Sequence, residues 1–249
     1  FSTDFIRCTW LITDDRGHVI ELAYDQGEIA SGEQKEAIDE IELELVKGNK
    51  TALFSLASLL FDELALRPGL KSKAARGYAL WRSELIEEKP PKTGFICQNR
   101  NHTIDAAFTS GLGSSLTSLQ HNIEHYLAHE TLVELAKVEA SLAIIRHGFW
   151  LFSEYLSPQE LLIRDELSHF VHLFSWVDNA IHLQELTNKT GNYRKKLDFS
   201  KQLIKQLKIE KRRFPSTDDI RQLLHSARFN QLQLNILQLF LSRSQAPVS

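Results

Sequence analysis

From about residue 116 to the end, apolar residues recur at helical spacing in successive segments joined by short links. This pattern constrains the fold most, because long amphipathic helices on short connections bury their apolar stripes by forming a bundle. One helix is predicted over roughly 116–148. A second follows "SPQE", with Ser157 as N-cap and Pro158 at the first helical position. A third covers roughly 196–212, and a fourth follows "FPSTDD", where Ser216 and Asp219 form a capping arrangement.

The N-terminal part reads differently. "FIRCTWLITDDRGHVIELAYDQG" is a predicted β-hairpin, two runs of β-branched and aromatic residues around the turn signal "DDRG". "SGEQKEAIDEIELELVKGN" is expected to be a helix, capped by Ser31, with Ile38, Ile41 and Leu45 at helical spacing and Gly48 at its end. Two further helices joined at "RPGLKS" follow. Ala52, Leu56 and Ala57 in the first, with Ala74, Ala75, Ala79 and Trp81 in the second, resemble one Sel1 or tetratricopeptide-type unit. Stacking needs roughly three such units, so an ordinary helical hairpin is the reading. The expected fold is mainly α: a short N-terminal β-hairpin, a helical hairpin and a C-terminal helical bundle. Residues 1–92 form an acidic N-terminal region, 93–115 a Pro, Gly, Ser and Asn-rich loop, and 116–249 the bundle with a basic helix.

A length of 249 residues can bury a real core, and 43% hydrophobic with 24% charged residues are globular values. Two cysteines, Cys8 and Cys97, are too few for a disulfide scaffold and suggest a reducing, cytoplasmic setting. No apolar run approaches the ~18 residues of a membrane helix, and no signal-peptide pattern opens the sequence, so no membrane partner is expected.

Charge is distributed unevenly. Residues 14–44 hold eleven acidic residues against Arg16 and Lys35, a local net of −9. Residues 189–213 hold ten basic residues against Asp198 and Glu210, a local net of +8. Within the basic stretch stand Arg194, Lys195, Lys196, Lys201, Lys205, Lys208, Lys211, Arg212 and Arg213. As a helix, Lys201, Lys205, Lys208 and Arg212 share one arc, with Leu203, Ile204 and Leu207 opposite. Such a ridge suits phosphate backbones, and Arg221 and Arg228 further on are candidates for additional backbone contacts. The first expectation is therefore a nucleic-acid-associated regulator or accessory subunit, with a protein partner or homodimer also in view.

Two constellations point elsewhere. "HNIEHYLAHE" puts His121, His125 and His129 on one side of a helix, and "RDELSH" adds Glu166 and His169 at the Glu-x-x-His spacing of di-iron bundles, with His172 nearby. The metal candidates are His125, His129, Glu166 and His172, holding zinc or iron. A second Glu-x-x-His pair is missing, so no cofactor is the primary expectation. The same "RDELSH", with Arg164, Asp165 and His169, resembles the motif of the HEPN ribonucleases (higher eukaryotes and prokaryotes nucleotide-binding). That resemblance implies metal-free RNA cleavage: Arg164 stabilises the phosphate, His169 is general acid or base, and Asp165 orients one of them. A plain protein–protein adaptor is the remaining alternative. No Gly-x-x-x-x-Gly-Lys loop and no Gly-x-Ser-x-Gly elbow is present.

Overall fold

The computed structural model describes residues 1–69, 71–82, 103–188 and 201–244. They fall in two compact units, Phe1–Lys89 and Pro90–Ser249.

Unit 1 is built on a three-stranded antiparallel sheet in the order β1-β2-β3: β1 Ser2–Thr13, β2 Val19–Ser31 and β3 Gln34–Lys47. The first turn forms as "DDRG" predicts. Asp14 Oδ1 accepts from the backbone N–H of Arg16 at 3.0 Å and of His18 at 2.9 Å, while Gly17 takes φ +77°, a conformation costly for a residue with Cβ. The second turn is tighter. Ser31 pairs with Gln34, and the two-residue link begins with Gly32 at φ +60°.

This second hairpin corrects the expected helix over 31–48. Ile41, Leu43 and Leu45 alternate with Glu40, Glu42 and Glu44, a period of two, which belongs to a strand with one polar face. Of the three residues at helical spacing, Ile41 and Leu45 belong to that alternation, whereas Ile38 lies on the opposite face with Glu40 and Glu42. Helices α1 (Thr51–Glu63) and α2 (Lys73–Arg82) follow. They pack on the sheet, α1 on β3 and α2 across all three strands.

Unit 2 is helical. Helix α3 runs Ile104–His129, so much of the stretch expected to be loop is helix. Its Gly and Ser residues serve close packing: a Cβ at Gly113 would meet the ring of Phe240 at 2.6 Å. The single helix expected over 116–148 is two. Glu130 adopts the left-handed conformation (φ 52°) and ends α3, and the Thr131 hydroxyl accepts from Glu134 N–H to cap α4, Leu132–Leu151. Capping boxes open α5 (Pro158–Phe174, Ser157 with Glu160) and α8 (Thr217–Leu224, Ser216 with Asp219). Between them lie α6 (Val177–Thr187) and α7 (Lys201–Lys211), and α9 (Ala227–Ser244) ends the described chain. The fold is thus mainly α with an N-terminal antiparallel sheet.

The core of unit 2 is continuous. Phe108, Leu112, Leu116, Leu119 and Ile123 on α3 meet Val138, Leu142, Ile145 and Phe149 on α4, with Phe170 and Phe174 of α5 and Phe229 of α9. One buried polar pair, Asn122 Nδ2 donating to Ser141 Oγ at 2.8 Å, sets the register of α3 against α4. Among the described residues no helix is long and apolar enough to cross a membrane.

Candidate functional site

Strand pairing in unit 1 places Arg7, Asp25 and Glu40 side by side, one per strand. Directly paired residues point to the same face, so the three side chains converge. Glu42, two residues on, shares that face, as do Ala23, Gly27 and Ile38. Gly27 is needed where it stands, because a Cβ would run into the Asp4 carbonyl and Phe5 on the neighbouring strand. Helix α2 brings Lys73 and Arg76 to this face.

The result is a closed charge network. Arg7 Nε and Nη2 donate to the two oxygens of Asp25 at 2.7 and 2.6 Å, and Nη2 also reaches Glu42 at 2.6 Å. Lys73 Nζ lies 2.6 Å from Asp25 Oδ2 and 2.8 Å from Glu42 Oε1, and it also pairs with Glu40. Arg76 pairs with Glu40 and, at 3.2 Å, with Glu36. Asp25 is wholly buried and the Lys73 side chain is 12% exposed, whereas Arg7 is 41% exposed. The ring of Phe5 lies under both cations, 5.1 Å from Lys73 Nζ and 5.7 Å from the Arg7 guanidinium carbon.

Electrostatics follow from these contacts. Hydrogen bonds from Arg7, reinforced by Lys73, hold the Asp25 carboxyl down at about 2 against the opposing effect of burial. Lys73 does the same for Glu42, lowering it. Burial would lower the Lys73 ammonium, but the carboxylates of Asp25, Glu40 and Glu42 hold it above its ordinary value. Asp25, Glu42 and Lys73 are therefore charged at neutral pH. The oxygens of Asp25, Glu40 and Glu42 lie within 4.8 Å of one another, an all-oxygen donor set of the kind that holds a hard divalent cation. The three cations can neutralise phosphate oxygens.

None of these residues was singled out from the sequence as a site. The signal was present in two forms: the acidic excess over 14–44, and the two-residue alternation of "EIELEL". Assigning that stretch to a helix dispersed carboxylates that a strand collects on one face.

The residues singled out from the sequence are placed as follows. On α3, the rings of His121, His125 and His129 stack along one side, 6.0 and 4.2 Å apart. His125 Nδ1 lies 2.8 Å from Glu134 Oε2, and His129 Nδ1 lies 2.9 Å from the His125 carbonyl. Glu166 is held by Arg228 at 2.5 and 3.0 Å, and His172 sits in the last turn of α5. Among the described residues, the three-residue group with metal-ligand geometry is the carboxylate trio of unit 1 rather than this set. Arg164 pairs with its neighbour Asp165 at 3.1 Å, and the His169 ring stands edge-on to Phe170 at 5.3 Å. Arg194, Lys195 and Lys196, and the side chain of Lys201, lie outside the described residues. Lys205, Lys208, Lys211, Arg212 and Arg213 are exposed along and just beyond α7, with Arg213 paired to Glu210. Ile204 is buried beneath them, but Leu203 is 43% exposed, so the apolar side is narrower than its spacing suggests. Arg221 and Arg228 are not spare cations: they tie α8 to Glu130 and α9 to Glu166.

No family model matches the chain. Over 113 residues it is 38% identical to a protein of Haemophilus influenzae named inorganic triphosphatase, a stretch covering 41% of this chain and 32% of the relative. The match thus spans about a third of the relative's length. This similarity is to a protein named for triphosphatase activity and corrects the expectation of a nucleic-acid-associated regulator, together with its ribonuclease alternative. An exposed basic ridge is compatible with many polyanions and with plain solvation, which is why it misled.

Proposed function

We propose that unit 1 binds inorganic triphosphate together with a divalent cation and promotes hydrolysis of a phosphoanhydride bond. The observation that carries the reading is the network of Arg7, Lys73 and Arg76 with Asp25, Glu36, Glu40 and Glu42, which holds both kinds of group the reaction requires. The similarity to a triphosphatase supports it. In this reading Arg7, Lys73 and Arg76 neutralise and orient the phosphate oxygens, as guanidinium and ammonium groups do in phosphoryl transfer. Asp25, Glu40 and Glu42 would hold the cation, and their oxygen donors suit magnesium or manganese. When bound, such an ion offsets charge that builds on the oxygens as the bond breaks. Water adds to the terminal phosphorus, the bridging P–O bond breaks, and orthophosphate and diphosphate leave with the water proton. A reducing, cytoplasmic setting belongs to the same reading, supported by the free, exposed thiol of Cys8.

The test is orthophosphate release from inorganic triphosphate by the whole chain, with magnesium or manganese. Release is expected, and Arg76→Ala should lower kcat/KM by about tenfold or more, the loss of one charged contact to the reacting group. A folded wild-type protein that neither binds nor cleaves triphosphate with either metal refutes the proposal.

A further inference from the structure

We infer that the Lys73 ammonium is a built-in cation standing where the divalent ion would sit, so that metal enters the carboxylate trio only by displacing it. The inference rests on the reading of unit 1 as a metal-dependent triphosphate site and concerns how that site is kept closed.

Three observations carry it. Lys73 is the cation that touches all three carboxylates of the trio; Arg7 reaches Asp25 and Glu42, and Arg76 reaches Glu40 and Glu36. Its Nζ lies 2.6 and 2.8 Å from oxygens that an ion would approach to roughly 2.0–2.6 Å. Two cations cannot share that volume. Lys73 is also the first residue of α2, and no acidic residue lies in the helix's own first turn. A cation at a helix N-terminus opposes the helix dipole, so the carboxylates, not the helix, hold Lys73 in place. Finally, the side chain is a flexible four-carbon stem, which can withdraw without unwinding the helix.

The consequence is coupling. Once free, Lys73 stands one turn from Arg76, available to a phosphate oxygen. Metal that expels Lys73 therefore improves triphosphate binding, and triphosphate that captures Lys73 improves metal binding by the same factor. Metal alone binds weakly because it must break three ion pairs.

The experiment is amine labelling of the whole wild-type protein with an acetylating ester, read at each lysine by mass spectrometry, with and without manganese. Bound manganese is followed by electron paramagnetic resonance. Lys73 should react slowly alone and at least severalfold faster with manganese bound, while exposed Lys35 on β3 is unchanged. The variant Lys73→Met should bind manganese about tenfold more tightly than wild type, since the three Lys73 ion pairs no longer oppose entry. Bound manganese with unchanged Lys73 reactivity, no manganese binding by either protein, or a folded variant that binds no more tightly would each overturn the inference. Phosphate release in the same samples separates the two claims. Displacement of Lys73 without triphosphate cleavage sinks the activity and keeps the displacement; cleavage without displacement does the reverse.

Discussion

Removing the Asp25 carboxylate tests whether the charge network holds unit 1 together. Asp25→Ala deletes three charge-assisted contacts, two from Arg7 and one from Lys73, at a wholly buried position. Each such contact contributes roughly 1.5–3 kcal/mol before offsets, and breaking a buried pair costs about 3–5 kcal/mol. Two features of the site reduce the loss. The Arg7 head is partly open to water, and Lys73 keeps Glu40 and Glu42. The low end, about 3 kcal/mol, is therefore expected. For a unit of this size each kcal/mol moves the midpoint by about 4–8 °C, so unit 1 should melt roughly 12–24 °C lower. Native-state hydrogen exchange on the whole chain reads the effect strand by strand. Amides of β1, β2 and β3 should lose protection by the stated amount, with α3 and α4 unchanged. As a control, Lys35→Ala removes an exposed pair with Glu28 and should cost no more than about 0.5 kcal/mol. A loss below about 1 kcal/mol for Asp25→Ala would refute the view that the network stabilises the sheet.

Two further outcomes follow from the same physics. The Asp25 carboxyl is held at about 2, below its unfolded value, so its stabilisation is fully present above about pH 4 and lost as pH falls through 2. Circular dichroism and exchange of the unit 1 strands on acid titration should show loosening mainly between those limits, and loosening already complete at pH 5 would contradict the assignment. In unit 2, Leu142→Ala empties a fully buried position between α3 and α4 and should cost about 3 kcal/mol by denaturant titration, whereas a cost under 1 kcal/mol would mean the core described here is not tightly packed.

Local chemistry in this chain was legible where one residue dictates geometry. Ser157 with Pro158, Ser216 with Asp219 and the "DDRG" turn form as their side chains require, because their hydrogen bonds close within four residues. The helices of unit 2 were legible from periodicity, but their breaks were not. Glu130 leaves the helical region although nothing in glutamate favours φ above zero. The turn is set by the need of α4 to fold back on α3, with Thr131 ready to cap it. The segment 34–47 shows the opposite failure. Three residues at helical spacing outweighed the alternation of "EIELEL", and with β3 misassigned, Glu40 and Glu42 had no reason to stand beside Asp25.

What the amino-acid sequence by itself determined is the mainly helical class, the first hairpin, the starts of α5 and α8 and an acidic N-terminal third, all consequences of short-range spacing. The site is a different matter. Arg7, Asp25, Glu40 and Lys73 are separated by 15 to 33 residues and meet through strand register and the docking of α2. Register depends on the pairing of whole strands, where a slip of one residue sends every side chain to the other face. A buried carboxylate needs partners that only the folded sheet can bring to it, and so the charge pattern was visible in the chain while its purpose was decided by tertiary structure.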